Sequence, residues 1–322
     1  MYTTKPKRND IPVQIKATIA FFICSLLQKG IGFFTTPIFT RIMPEKDYGH
    51  FSTFISWYDI LYAVISLGLV GGIYSSALVK NEDDRKVISS STQGLVLVSV
   101  SVSTLIYGAF SEFWNKIFSL NTAQMLGMLV LILTTTSFGL WALEQRVTYN
   151  YIFLVLLTLL VSVFKPLLGI YLVLTSDDKV SARIFSLVIV EVICYSGIIV
   201  YQLIRGKKFY SKKYWKYCFV FCLPLVPHAL SNSILSGSDR IMIEHFVGEE
   251  QTAYYNLAYN VALIMLILKN SLAQTLAPWT YQKLKEKKED DINSVAIVTV
   301  VVIAVLNLLL ILVAPEFVYV FA

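Results

Sequence analysis

The sequence predicts an all-α integral membrane protein: a polytopic helix bundle of two pseudo-two-fold lobes of six helices, the second lobe incomplete. Three observations predict it. Apolar residues make up 56% of the 322, charged residues only 15%, and the mean hydropathy is +0.65. A soluble domain would carry about 25% charged residues. The apolar residues gather into nine stretches, each long enough to cross a bilayer as a helix of about 20 residues. Finally, the phrase RIMPE at residues 41–45 returns as RIMIE at residues 240–244.

The nine stretches are roughly 17–40, 49–79, 89–111, 123–143, 148–174, 180–204, 217–246, 253–281 and 292–314. The first is too long for a signal peptide, and no small-residue cleavage site follows a short core. The connections are short, which leaves no room for a soluble domain. Lysine and arginine set the direction. Eighteen lie on the N-terminal tail and every second connection, against five on the intervening ones. This predicts a cytoplasmic N-terminus. The stretch KKFYSKKYWKY, residues 207–217, is basic with interleaved aromatics. Beside a membrane helix that pattern reads as anchoring to anionic lipid headgroups, with no nucleic-acid partner. The net charge of +6 is accounted for in the same way. Cys24, Cys194, Cys218 and Cys222 sit in or beside apolar runs. They read as small packing residues, with no metal and no disulfide framework implied.

The two RIM phrases lie within a longer repeat. SLLQKGIGFFTTPIFTRIMPEKDYGHFSTFISW is matched by PLVPHALSNSILSGSDRIMIEHFVGEEQTAYYNLAYN. Each is an apolar helix ending in Arg-Ile-Met, an acidic turn, and a second helix. Gly49-His50-Phe51-Ser52 aligns with Ala253-Tyr254-Tyr255-Asn256. Stretch 1 therefore corresponds to stretch 7, and 2 to 8. An even number of spans separates the copies, so the lobes are parallel and related by an axis along the membrane normal. The implied division is a tail at 1–16, a six-helix lobe at 17–210 and a three-helix partial lobe at 211–322. A complete second lobe would need three more spans.

FTTPIFTRIMPEKDYGHFS, GLVGGIYSSALVK, SGSDRIMIEHFVGEEQTAYYNLAYN and APWTYQKL, in that order, resemble the polysaccharide and O-antigen flippases. These belong to the multidrug/oligosaccharidyl-lipid/polysaccharide exporter superfamily, whose fold is MATE-like. The resemblance covers most of the chain and is strongest over residues 25–80 and 220–285. It implies two lobes around a central cavity and transport of undecaprenyl-pyrophosphate-linked oligosaccharides. It also implies other polysaccharide-assembly membrane proteins as partners, beside the membrane lipids.

Polar residues inside the spans are the site candidates, because ionisable groups at that depth face the bundle or a wet cavity. At about 100° per residue, Ser25, Lys29, Gly32 and Thr36 share a face, as do Tyr151, Thr158, Ser162, Lys165 and Gly169. Ser52, Ser56, Asp59, Tyr62 and Ser66 line another, Glu191, Tyr195 and Gln202 a fourth, and His228, Asn232 and Asp239 a fifth. The repeat places His228 at the position equivalent to Lys29. Asn256, Asn260, Asn270 and Gln274 form one more stripe, and Lys269 points away from it. Given the resemblance, Lys29, Lys165 and His228 are candidates for a pyrophosphate, and Asn232, Asn256 and Asn260 for sugar hydroxyls. Asp59, Glu191 and Asp239 are candidates for a coupling proton or sodium ion. The competing reading of Lys29 is a structural pair with Asp59. Arg41, Glu45, Arg240 and Glu244 read as structural charges, with Arg and Glu four residues apart in each copy.

The leading function is thus a lipid-linked oligosaccharide flippase that makes no covalent bond and needs no cofactor beyond an ion gradient. A drug exporter of the same fold is the nearest alternative, although central lysines fit it poorly. A membrane-bound polymerase or glycosyltransferase would need a sizeable loop or a clustered acid–base set, and neither stands out. The sequence has only three histidines and no phosphate-binding glycine loop.

Overall fold

The computed structural model describes residues 13–70, 72–260, 262–263, 265 and 289–321. Among these there is no strand. The helices are α1 (Val13–Ile42), α2 (Glu45–Ile65), α3 (Gly72–Lys80), α4 (Arg85–Ala109), α5 (Ser111–Phe118), α6 (Thr122–Val147), α7 (Tyr151–Thr175) and α8 (Lys179–Gly206). They continue with α9 (Lys212–Cys222), a 3-10 turn at Leu223–Leu225 and α10 (Val226–Phe246). Residues 249–260 form α11, and α12 runs Glu289–Phe321. Seven helical segments of the described residues are long and apolar enough to span a membrane. The protein is an all-α, multi-pass membrane protein.

Local chemistry sets several boundaries. Pro44 is the N-cap of α2, and Glu45 and Asp47 follow in its first turn, where carboxylates complement the positive helix end. α6 opens with a capping box: Asn121 Oδ1 accepts from the Gln124 amide at 2.8 Å, and Gln124 Oε1 accepts from the Asn121 amide at 3.1 Å. Asp178 caps α8 by accepting from the Ser181 amide.

α6 sits at the centre of the first lobe. Of its apolar window 61% is buried, against 6% for α1. α6 packs on α8 and α4, α7 packs on α8 and α1, and α2 packs on α10. The main core gathers Phe54, Leu78, Ile88, Met128, Ile132 and Ile184.

Two features differ from the sequence reading. The stretch 49–79 is two helices, not one span. The chain breaks after Ile65, where Leu67 and Gly68 both take left-handed backbone, at φ 53° and 62°. Two successive left-handed residues cannot continue a right-handed helix. Stretch 217–246 is likewise interrupted, by the 3-10 turn around Pro224. The second feature is that Tyr214, Cys218 and Cys222 of α9 pack in the same core as Phe54, Leu78 and Met128. Cys218 and Cys222 are buried free thiols there. Most of the stretch 253–281 lies outside the described residues, as do Lys269, Asn270, Gln274 and Pro278.

The repeat has a physical counterpart. Gly49 and Ala253, matched residues of the two copies, face each other. A Cβ on Gly49 would lie 1.8 Å from the Glu249 carbonyl oxygen and 3.2 Å from the Ala253 nitrogen. Only glycine lets α2 and α11 approach this closely.

Candidate functional site

Inside the first lobe a polar chain links four helices. Lys165 Nζ of α7 donates to Glu191 Oε1 of α8 at 2.6 Å. Glu191 also accepts from the hydroxyls of Thr134 and Thr135 of α6. Tyr58 of α2 in turn donates to Thr135 Oγ1 at 3.0 Å. Glu191 is buried, with 4% of its side chain exposed, whereas Lys165 retains 27%. The structure thus joins two residues that the sequence places in different roles. Tyr195, one turn along α8, is buried and stacks on Phe138 at 4.3 Å.

A second buried carboxylate was not legible in the sequence. Glu144 of α6, 2% exposed, accepts from Arg205 Nη1 at 2.6 Å and from the Ser89 hydroxyl at 3.0 Å. Gln202 donates to the same Ser89. Arg205 looks like a loop cation in sequence, and Glu144 stands beside Arg146 at a span end. Nothing in spacing pairs positions 144 and 205. Arg183 is similarly misplaced by sequence. It lies inside α8, with its guanidinium 3.7 Å from the centre of the Phe39 ring, a cation–π contact tying α8 to α1.

The remaining candidates cluster on α1, α2, α10 and α11, the helices of the repeat. Lys29 is exposed and has no hydrogen-bond or ionic partner among the described residues, so the pairing with Asp59 does not form. Asp59 is exposed too, with Arg240 the nearest influential cation. His228 and Asn232 are exposed and bonded to each other at 3.2 Å. Asp239 accepts from the Tyr255 hydroxyl at 2.7 Å. Asn256 is buried and donates to Tyr48 of α2 at 3.2 Å, and the half-buried Asn260 lies beside the same hydroxyl.

The repeated charges are used differently from their spacing. Arg240 and Glu244 do not pair. Arg240 lies 4.7 Å from the Tyr259 ring centre and donates to the Ser236 carbonyl. Glu244 instead reaches across to His50 of α2 at 3.1 Å. Glu45 accepts from the Tyr254 hydroxyl, again between the two copies. Arg41, at the end of α1, is exposed. The two glutamates therefore join one copy of the repeat to the other. Beside His50 a cavity of about 560 Å³ opens, lined by Thr53, Trp57, Phe118, Ile241, Glu244 and His245 among others.

The two helix interruptions also meet. A Cβ on Gly68 would sit 3.7 Å from the Cys222 carbonyl, so the break between α2 and α3 lies against the break between α9 and α10.

Comparison with known proteins gives the following. Residues 15–284 match the family described as polysaccharide biosynthesis protein. A Haemophilus influenzae protein of the Lsg locus is 22% identical over 279 residues, covering 85% of this chain and 67% of its own length. No solved structure matches the chain significantly.

Proposed function

This chain belongs to the polysaccharide biosynthesis protein family, and from that premise we propose that it is a flippase. It carries undecaprenyl-pyrophosphate-linked oligosaccharide repeat units across the bacterial inner membrane by alternating access of its two lobes. The N-terminus is cytoplasmic, as the charge distribution along the chain supports.

The observation that carries the reading is a set of exposed polar groups on helices of the bundle. Lys29, Asp59, His228, Asn232 and Asp239 are all exposed, on α1, α2 and α10. Charged and strongly polar groups are too costly against lipid tails, so this surface faces a wet cavity. Lys29, without a partner among the described residues, is the cation that receives the pyrophosphate. Lys165 uses one of its three donors on Glu191, which leaves two for a passing phosphate. Asn232, Asn256 and Asn260 offer amides to sugar hydroxyls. Asp59, Asp239 and Glu191 are the carboxylates available to a coupling proton or sodium ion. The adjoining breaks at 66–70 and 223–225 supply a place for the lobes to bend, since interrupted helices in transporters line moving sites. No bond is made or broken in this scheme.

The test is made in the host cell. Deletion of the gene should cause an undecaprenyl-pyrophosphate oligosaccharide to accumulate, seen by mass spectrometry of extracted lipids, with loss of the surface polysaccharide. Absence of accumulation together with raised sensitivity to cationic drugs would replace the flippase by a drug exporter.

A further inference from the structure

His50 of α2, Glu244 of α10 and Glu249 at the start of α11 meet at the end of the bundle where α1 and α10 finish. His50 Nδ1 lies 3.1 Å from Glu244 Oε1 and 3.7 Å from Glu249 Oε1. The three donor atoms all fall within 4.8 Å of one another. A tetrahedral ion about 2.1 Å from each ligand needs donors about 3.4 Å apart, and the two separations straddle that spacing. One imidazole nitrogen with two carboxylate oxygens is a donor set that zinc accepts.

A second observation concerns Glu244 by itself. Its side chain is only 9% exposed, yet Oε2 has no hydrogen-bond partner. A buried carboxylate oxygen left without a partner is costly. Among the described residues no lysine or arginine pairs with Glu244; its ionic partner is His50. Lys46 touches Glu249 Oε2 at 3.4 Å from a position 70% exposed, which leaves Oε1 free for an ion. The buried Thr53 hydroxyl, also without a partner, lines the same cavity. That cavity gives water access to the open coordination position.

We propose that His50, Glu244 and Glu249 form a divalent-cation site of the zinc class that clasps the two lobes. One ligand comes from the first copy of the repeat and two from the second. A bound ion would therefore hold this end closed and neutralise the carboxylates that otherwise repel. The proposal is independent of what the protein transports.

The test uses the purified full chain in detergent, stripped with a chelator and titrated with Zn²⁺ in competition with a chromogenic chelator. One equivalent should bind, and H50Q and E249Q should each weaken binding at least tenfold. Glu249 is 29% exposed, so E249Q keeps the test interpretable if H50Q folds poorly. Failure to bind one equivalent, or unchanged affinity in both variants, overturns the site.

Discussion

Replacing Lys165 by methionine removes the ammonium that lies 2.6 Å from Glu191 Oε1 and leaves a carboxylate that is 4% exposed. Breaking a buried pair by deleting one partner costs about 3–5 kcal/mol. Glu191 would keep the Thr134 and Thr135 hydroxyls, so the loss should fall near about 3 kcal/mol. In the double variant Lys165→Met/Glu191→Gln no charge is stranded, and the amide can still use the threonines. The double should therefore be more stable than the single, with a coupling energy of about 2 kcal/mol. Thermal unfolding in detergent reads the stability, and lipid-linked oligosaccharide transport in cells lacking the native copy reads the activity. If Lys165 contacts the pyrophosphate or Glu191 takes the coupling ion, the double recovers stability but not transport. Recovery of both would show that Lys165 only ties α7 to α8. A single variant as stable as wild type would refute the energetic reasoning itself.

Three further outcomes follow from particular contacts. Lys29→Ala should lower transport at least tenfold, by the loss of a charge-assisted contact of about 1.5–3 kcal/mol, without lowering the unfolding temperature. Lys29 has no partner to lose among the described residues, and a stability loss equal to that of Lys165→Met would contradict its placement. Gly49→Ala puts a methyl group 1.8 Å from the Glu249 carbonyl oxygen. Reaching an ordinary contact of about 3.3 Å demands a shift of about 1.5 Å between α2 and α11. A stability loss of about 2 kcal/mol is expected, and an unaltered unfolding temperature would rule out this close approach. Arg205→Leu should destabilise more than Glu144→Gln. Glu144 is 2% exposed and Arg205 34%, so a stranded arginine can reach water and a stranded glutamate cannot. The reverse order in thermal unfolding would show that Glu144 is not buried in the folded protein.

Much of the architecture was legible because lipid imposes a simple code. Length and apolarity mark helices that must satisfy their own backbone bonds, so the all-helical, multi-pass fold followed from composition and the long stretches. The matched residues Gly49 and Ala253 of the RIM repeat lie against each other in the fold. Helical periodicity found Lys165 and Glu191 as inward-facing polar residues, since facing depends only on position along one helix.

Partnership was decided by tertiary structure alone. The Lys165–Glu191 and Arg205–Glu144 pairs join residues 26 and 61 positions apart, and no single-helix period encodes which helices become neighbours. The same cause turned Glu244 away from Arg240 and toward His50, 194 positions distant. The break at Leu67 and Gly68 was also missed: hydropathy stays high through it, although Gly68, Gly71 and Gly72 carry a turn signal in the sequence. The sequence determined which groups enter the membrane; the packing of α2 against α10, and of α6 against α8, determined which charges meet there.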